Sequence, residues 1–203
     1  MALARALARD PRILLLDEPF GALDAITRDQ VRNELGEMLG ELQLPSILVT
    51  HSFDDATALG HRVGVLDKGR LVQLASPLEL LRNPADSLVA ALTGANVLSG
   101  TATPTAAGTI VRLVGGGEVL SATRAQGPVQ VAIHPWEIEI VSRRSASLTD
   151  TVVSVRQERG ATLVRLGRLT IRISPHRQAD GLPAEGQVVG LRVSPVDVRV
   201  LST

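Results

Sequence analysis

The 203-residue chain has no cysteine, three aromatic residues (Phe20, Phe53 and Trp136) and a single lysine, Lys68. Without cysteine there is neither a disulfide framework nor a thiolate metal site, the usage expected of a reducing compartment. With so few aromatics the cores must be built from Leu, Val, Ile and Ala, which the 44% apolar content allows. No run of about 18 apolar residues occurs, so no segment reads as a membrane-spanning helix and a membrane role must come through a partner. No secretion signal is visible. A zero net charge and the lack of stacking residues argue against a nucleic-acid groove. No G-x-x-x-x-G-K-[ST] loop is present either, so this sequence supplies no phosphate cradle of that kind.

What is present begins with Ile13-Leu14-Leu15-Leu16-Asp17-Glu18-Pro19. Four consecutive apolar residues suit a strand buried on both faces of a parallel sheet. The run stops at two adjacent carboxylates, at the strand's C-terminal edge, where open α/β sheets bind their ligands. Gly21-Ala22-Leu23-Asp24 follows, and a second short apolar run, Ser46 to Thr50, leads into His51. Between them, Asp24 to Leu42 reads as a helix with Asp24 as its N-cap and Val31, Leu35, Met38, Leu39 and Leu42 on one stripe. Leu3 to Ala8 reads as an earlier helix, stopped before Pro11, and Asp54 to Leu59 as a later one. Val63 to Leu66 and Arg70 to Leu74 suggest a hairpin around Lys68-Gly69. Two short helices, Pro77 to Leu81 and Ser87 to Leu92, flank the Asn83-Pro84 break.

Taken in order, these motifs resemble the ATP-binding subunits of ABC transporters. The resemblance rests on Ile13 to Glu18 as the Walker B strand, Gly21 to Asp24 as the D-loop and Val49-Thr50-His51 as the switch strand and its histidine. It implies that Asp17 holds Mg²⁺, through water, since Mg²⁺ keeps several waters and takes few protein carboxylates. Glu18 would take a proton from the attacking water or orient it. His51 would contact the γ-phosphate, in a reaction that is mostly positioning and electrostatics. Asp24 would lie at the interface of two ATPase subunits. Ser52 stands where the family often has Asp, which leaves the histidine's role intact, and His61 reads as a solvated surface residue. The family's LSGGQ signature is absent as well, so no residue of this sequence is assigned to nucleotide binding, and an N-terminally shortened chain is expected. ATP and Mg²⁺ would be the cofactors of the complete subunit, the partners a second ATPase subunit and membrane permease subunits, and the location the cytoplasmic face of the cell membrane. The tail from Gly69 through Ser76-Pro77 to Gly94-Ala95-Asn96 is similar to importer ATPases that carry a C-terminal extension.

After residue 94 the character changes. Residues 1 to 94 carry 9 Lys/Arg against 13 Asp/Glu, net −4, and residues 95 to 203 carry 12 against 8, net +4. Helical periodicity gives way to short Val/Ile/Leu runs punctuated by Gly, Pro, Ser and Thr, the pattern of a small β-barrel or sandwich. Val131 to Ser142 recurs as Leu191 to Ser202 at a constant offset of 60 residues, each copy a strand, a Pro break and a second strand opened by a carboxylate. Such self-similarity marks a duplicated unit, here about 96 to 142 and 149 to 202. The fold class expected is therefore an α/β parallel-sheet half over 1 to 94, then an all-β domain over 95 to 203 of two modules similar to the OB-type transport-associated regulatory domain. For that domain the resemblance implies contact with the dimer mate and, in molybdate systems, oxyanion binding. His134 and Trp136 flank the first Pro, but the second copy has Ser194 and Val196 there, so both read as packing residues. Arg143-Arg144 reads as a solvated turn and Gly115-Gly116-Gly117 as a hairpin turn.

Two functions compete at this stage. One is the C-terminal portion of the ATP-hydrolysing subunit of an ABC importer for an oxyanion such as molybdate or sulfate. The other is an ATPase-inactive anion-sensing or dimerisation module with a vestigial half-ATPase.

Overall fold

The computed structural model describes residues 11 to 158, 160 to 175 and 181 to 201. The helix expected over Leu3 to Ala8 lies outside them. The chain divides into two compact units, Met1–Glu79 and Leu80–Thr203. The division falls ahead of the expected boundary at 94/95 because the last helices before it pack on the β-rich unit.

In the first unit, β1 (Leu14–Asp17) and β2 (Ser46–Val49) are parallel neighbours, with Asp17 opposite Val49. The connection runs through α1 (Ala25–Leu42), as a parallel pair requires. α2 (Phe53–Leu59) follows β2, and Arg32 of α1 ties the two helices by donating to the buried Asp55 at 3.0 Å. β3 (Val63–Asp67) and β4 (Arg70–Ala75) form the expected hairpin. Its two-residue turn places Lys68 (φ 47°) and Gly69 (φ 76°) in the left-handed region, which matches the twist of the strands.

The expectation that the β1 strand is buried on both faces is not met. Leu14 is buried, but Ile13 is 50% and Leu15 68% exposed, and on β2 Ile47 and Val49 are 54% and 55% exposed. Among the described residues β1 pairs with β2 alone, so nothing in them covers that second face. Of the α1 stripe only Leu35 is buried, while Leu42 is 54% exposed.

The second unit opens with α3 (Pro77–Arg82), which spans the unit boundary, and α4 (Ser87–Leu92), capped by Asp86, whose carboxylate accepts from the Val89 amide at 2.9 Å. Among the described residues ten strands follow, in two five-stranded antiparallel sheets. In chain order they are β5 (Asn96–Thr105), β6 (Gly108–Leu113), β7 (Glu118–Ser121), β8 (Gly127–Ile133), β9 (Ile138–Val141), β10 (Leu148–Glu158), β11 (Ala161–Leu166), β12 (Thr170–Ile173), β13 (Val188–Val193) and β14 (Arg199–Leu201). One sheet runs β7-β6-β5-β8-β14, the other β12-β11-β10-β13-β9.

The internal repeat is thus real but reciprocally exchanged. Each copy is a strand, a 3-10 turn opened by Pro135 or Pro195, and a second strand. The second strand does not return to its own copy: β9 pairs with β13 and β14 with β8. The two segments read as separate modules therefore each complete the other's sheet. Proline has a fixed φ and no N–H to give, so the Pro turn cannot close as a tight hairpin and carries the chain across instead. Each sheet then has the order 3-2-1-4-5 in repeat terms, a partly open five-stranded barrel of the OB type. One core runs through both, with Val111, Val131, Ile133, Ile138, Val164, Leu191 and Val198 among its buried members. Ala90 of α4 packs on Ala132 and Leu201. Gly115, Gly116 and Gly117, all at positive φ, make the β6–β7 turn as expected.

Candidate functional site

The parallel pair brings the sequence-predicted residues together. The backbone leaves β1 at Asp17, and the Glu18 amide still donates to the Val49 carbonyl at 2.9 Å, so β2 fixes where Glu18 begins. Glu18 then adopts φ 43°, a left-handed conformation that is strained for a residue with a Cβ. Such outliers persist only where the surroundings hold them. Here the Glu18 carbonyl accepts from the Gly21 amide at 3.1 Å, and Phe20, 2% exposed, anchors the turn. The turn throws the Glu18 side chain toward the end of β2, where its Oε1 lies 2.9 Å from His51 Nδ1.

His51 is set by its own neighbours. Thr50 Oγ1 accepts from the Ser52 amide, and Ser52 Oγ accepts from the Asp55 amide as N-cap of α2. Ser52 is thus a strong N-cap for that helix. The histidine and glutamate side chains are 77% and 39% exposed. An exposed pair of this kind is worth about 0–1 kcal/mol, so an incoming anionic ligand can part it at little cost.

Asp17 is exposed, and among the described residues its carboxylate has no hydrogen bond or ion pair. A lone carboxylate of this kind fits Mg²⁺, which takes one or two carboxylates together with waters and substrate phosphates. It does not fit a closed protein cage, and no cluster of three His, Cys, Asp or Glu side chains occurs among the described residues. Asp24 caps α1: its Oδ1 accepts from the Ile26 and Thr27 amides at 3.1 Å and its Oδ2 from the Thr27 hydroxyl at 2.7 Å. The Thr27 hydroxyl, helped by these amides, holds the Asp24 carboxyl below the usual carboxylate range. His61 is exposed, as expected.

The β unit holds a cluster that sequence reading missed. Arg199 donates to both carboxylate oxygens of Glu137 at 2.7 Å and, through Nε, to the Arg82 carbonyl at 2.9 Å. His134, 1% exposed, places Nε2 3.1 Å from the Leu81 carbonyl. The last carbonyls of a helix have no partner inside it, so these two side chains satisfy the C-terminus of α3. Burial, reinforced by Arg199, holds the His134 imidazole below its ordinary value, against the pull of the Leu81 carbonyl and Glu137. Burial and Glu137 push the Asp197 carboxyl up, while Arg199 opposes. The expectation of a packing role suits His134, whereas Trp136 is 47% exposed and stacks one face on His134 at 4.4 Å. A signal was available: in the repeat, Arg199 stands where the first copy has Glu139, so the charge changes sign between otherwise matching strands.

No family model matches the chain. The sulfate/thiosulfate import ATP-binding protein CysA of Escherichia coli K12 is 40% identical over 155 residues, 71% of this chain and 39% of that protein. CysA 1 of Chromobacterium violaceum is 37% identical over 175 residues, 84% of this chain and 46% of the relative. The Fe(3+) ions import ATP-binding protein FbpC 2 of Rhodococcus jostii is 34% identical over 200 residues, 95% of this chain and 56% of the relative. The chain thus spans about half the length, or less, of the curated relatives it matches. Among solved structures, the cytoplasmic molybdate-binding protein ModG with molybdate bound covers 53% of this chain at TM-score 0.45 and 18% identity, a likeness too weak to carry an argument. By sequence, this chain is a homologue of the ATP-binding proteins of ABC importers.

Proposed function

We propose that the chain is the C-terminal portion of the ATP-hydrolysing subunit of an ABC importer for an oxyanion such as sulfate or molybdate. The observation that carries this reading is the contact of Glu18 with His51 at 2.9 Å, beside the free carboxylate of Asp17 at the C-terminal edge of a parallel strand pair. In the complete subunit Glu18 orients the attacking water and accepts its proton. His51 would contact the γ-phosphate, and Asp17 would hold Mg²⁺, which supplies positive charge to the phosphates when bound. Asp24 lies toward a second ATPase subunit, and a permease in the membrane takes up the motion. The oxyanion part leans on the sulfate/thiosulfate relatives at 40% and 37% identity, against 34% for the iron relative.

Nucleotide binding and anion binding test the two halves of the proposal. Alone, the chain should give no calorimetric signal with micromolar Mg-ATP; joined behind the phosphate-loop portion of a CysA relative it should bind. Micromolar binding by the chain alone would contradict the division of labour. For the cargo, sulfate, molybdate and tungstate are titrated into the whole chain, and heat from at least one is expected. Silence with all three would remove any anion-sensing role of the β unit.

A further inference from the structure

The two barrels differ at one seam. In the first, β7 is tied to the strand-exchange turn, with the Ala122 amide donating to the Pro195 carbonyl at 2.9 Å and Ser121 Oγ to the Val198 carbonyl at 2.6 Å. In the second, β12 lies by the turn Pro135–Glu137 and by β9, yet among the described residues it makes no hydrogen bond to β9. The seam opens into a cavity of about 960 Å³, lined in part by Trp136, Ile138, Ile140, Arg172, Ile173 and Gln187.

The lining has a defined chemistry. His134 covers one face of the Trp136 indole, with the rings 8° from parallel, and Trp136 keeps 47% exposure with part of its surface lining the cavity. Ile140 and Ile173 supply apolar surface. Arg172 projects from β12, and among the described residues its guanidinium has no ion-pair or hydrogen-bond partner. Arg192 and Glu139 also border the cavity, but they neutralise each other at 3.0 Å. Gln187 Oε1 is engaged by the Ala184 amide, which leaves its amide N–H groups to donate. The frame is rigid: Asn96 exchanges hydrogen bonds with Thr170 of β12 at 2.7 and 2.9 Å and donates to the Ile133 carbonyl at 3.1 Å. The cleft lies near the upper end of the common range of about 300–1,000 Å³, and its lining is apolar and polar in about equal measure, so it offers a small organic anion both a surface and donor groups.

We infer that this seam binds a flat aromatic anion, its ring stacked on Trp136 and its acidic group held by Arg172. Stacking supplies a sequence-independent platform, and the planar guanidinium matches a carboxylate or phosphate in two-point fashion.

The test uses the whole chain and 2-naphthoate. Trp136 is the sole tryptophan, so the one indole N–H cross-peak of a ¹H–¹⁵N spectrum reports on the site without assignment. 2-Naphthoate should move that peak saturably. The uncharged 2-naphthamide and the ringed but non-aromatic cyclohexanecarboxylate should each bind about tenfold more weakly or worse, as should 2-naphthoate to R172Q, the loss of one charge-assisted contact. R172Q changes an exposed strand position, and an otherwise superimposable spectrum shows that it folds. No saturable shift with 2-naphthoate, equal binding of the amide, unchanged affinity in R172Q, or displacement of the probe by equimolar sulfate would each overturn the inference.

Discussion

Replacing Arg199 by Met should be among the most damaging single changes in the β unit. Arg199 and Glu137 have side chains only 17% and 11% exposed and meet through two parallel contacts of 2.7 Å. Removing the guanidinium leaves Glu137 charged, sheltered from water, and held by one remaining donor, the His134 amide at 2.8 Å. It also frees the Arg82 carbonyl at the end of α3. Breaking a buried pair from one side costs about 3–5 kcal/mol. With a urea dependence of about 1–3 kcal/mol per molar, the unfolding midpoint should fall by more than about 1 M. The diagnostic is a cycle: Glu137→Gln with Arg199→Met removes the stranded charge, so the double variant should be more stable than the sum of the singles implies. A loss below about 1 kcal/mol for R199M, the range of an exposed pair, or strict additivity in the cycle, would refute the claim that this pair holds the helix to the barrel.

Two further outcomes concern the same unit. His134 has its pKa lowered in the folded state, so below the ordinary value of about 6.5 the unfolded chain takes up a proton that the folded chain resists, and stability falls as pH drops through that window. H134F should lose less stability than the wild type between pH 7.5 and 5.5 by urea titration, and parallel losses would contradict the assignment. Asp197 works the other way, since its raised pKa makes the folded state the stronger proton binder at lower pH. Gly117 sits at φ 88° with Leu148 Cβ 2.7 Å from where a side chain would start. Gly117→Ala should therefore cost about 1–3 kcal/mol in the same assay, and a neutral result would mean that the β6–β7 turn is not built as described.

Much of this architecture is written in local sequence. The β1 run ending at Asp17-Glu18, the α1 helix with Asp24 before it, and the Lys68-Gly69 hairpin each depend on neighbours a few residues away, and their elements lie within a residue or two of expectation. What escaped sequence reading is set by distant partners. The 60-residue repeat is visible as a pattern, but which strand completes which barrel depends on whether β9 finds β8 or β13, and alternating Val and Ile suit either. Exposure escaped for a similar reason: four apolar residues in a row say that β1 can be buried, not what covers it. At the candidate site the identities of Asp17, Glu18 and His51 could be read from motif order. Their geometry rests on the left-handed Glu18 and the parallel register with β2, neither of which a string of letters states.

The central claim is that Glu18 and His51 are the chemical half of an importer ATPase. Its most direct measurement is steady-state ATP hydrolysis by the chain joined behind the phosphate-loop portion of a CysA relative, with and without Glu18→Gln. The account predicts Mg²⁺-dependent turnover that falls by about 10²–10⁴-fold in E18Q, the usual contribution of a positioned general base, while Mg-ATP still binds. Turnover unchanged by E18Q in a protein that binds and hydrolyses Mg-ATP would contradict it.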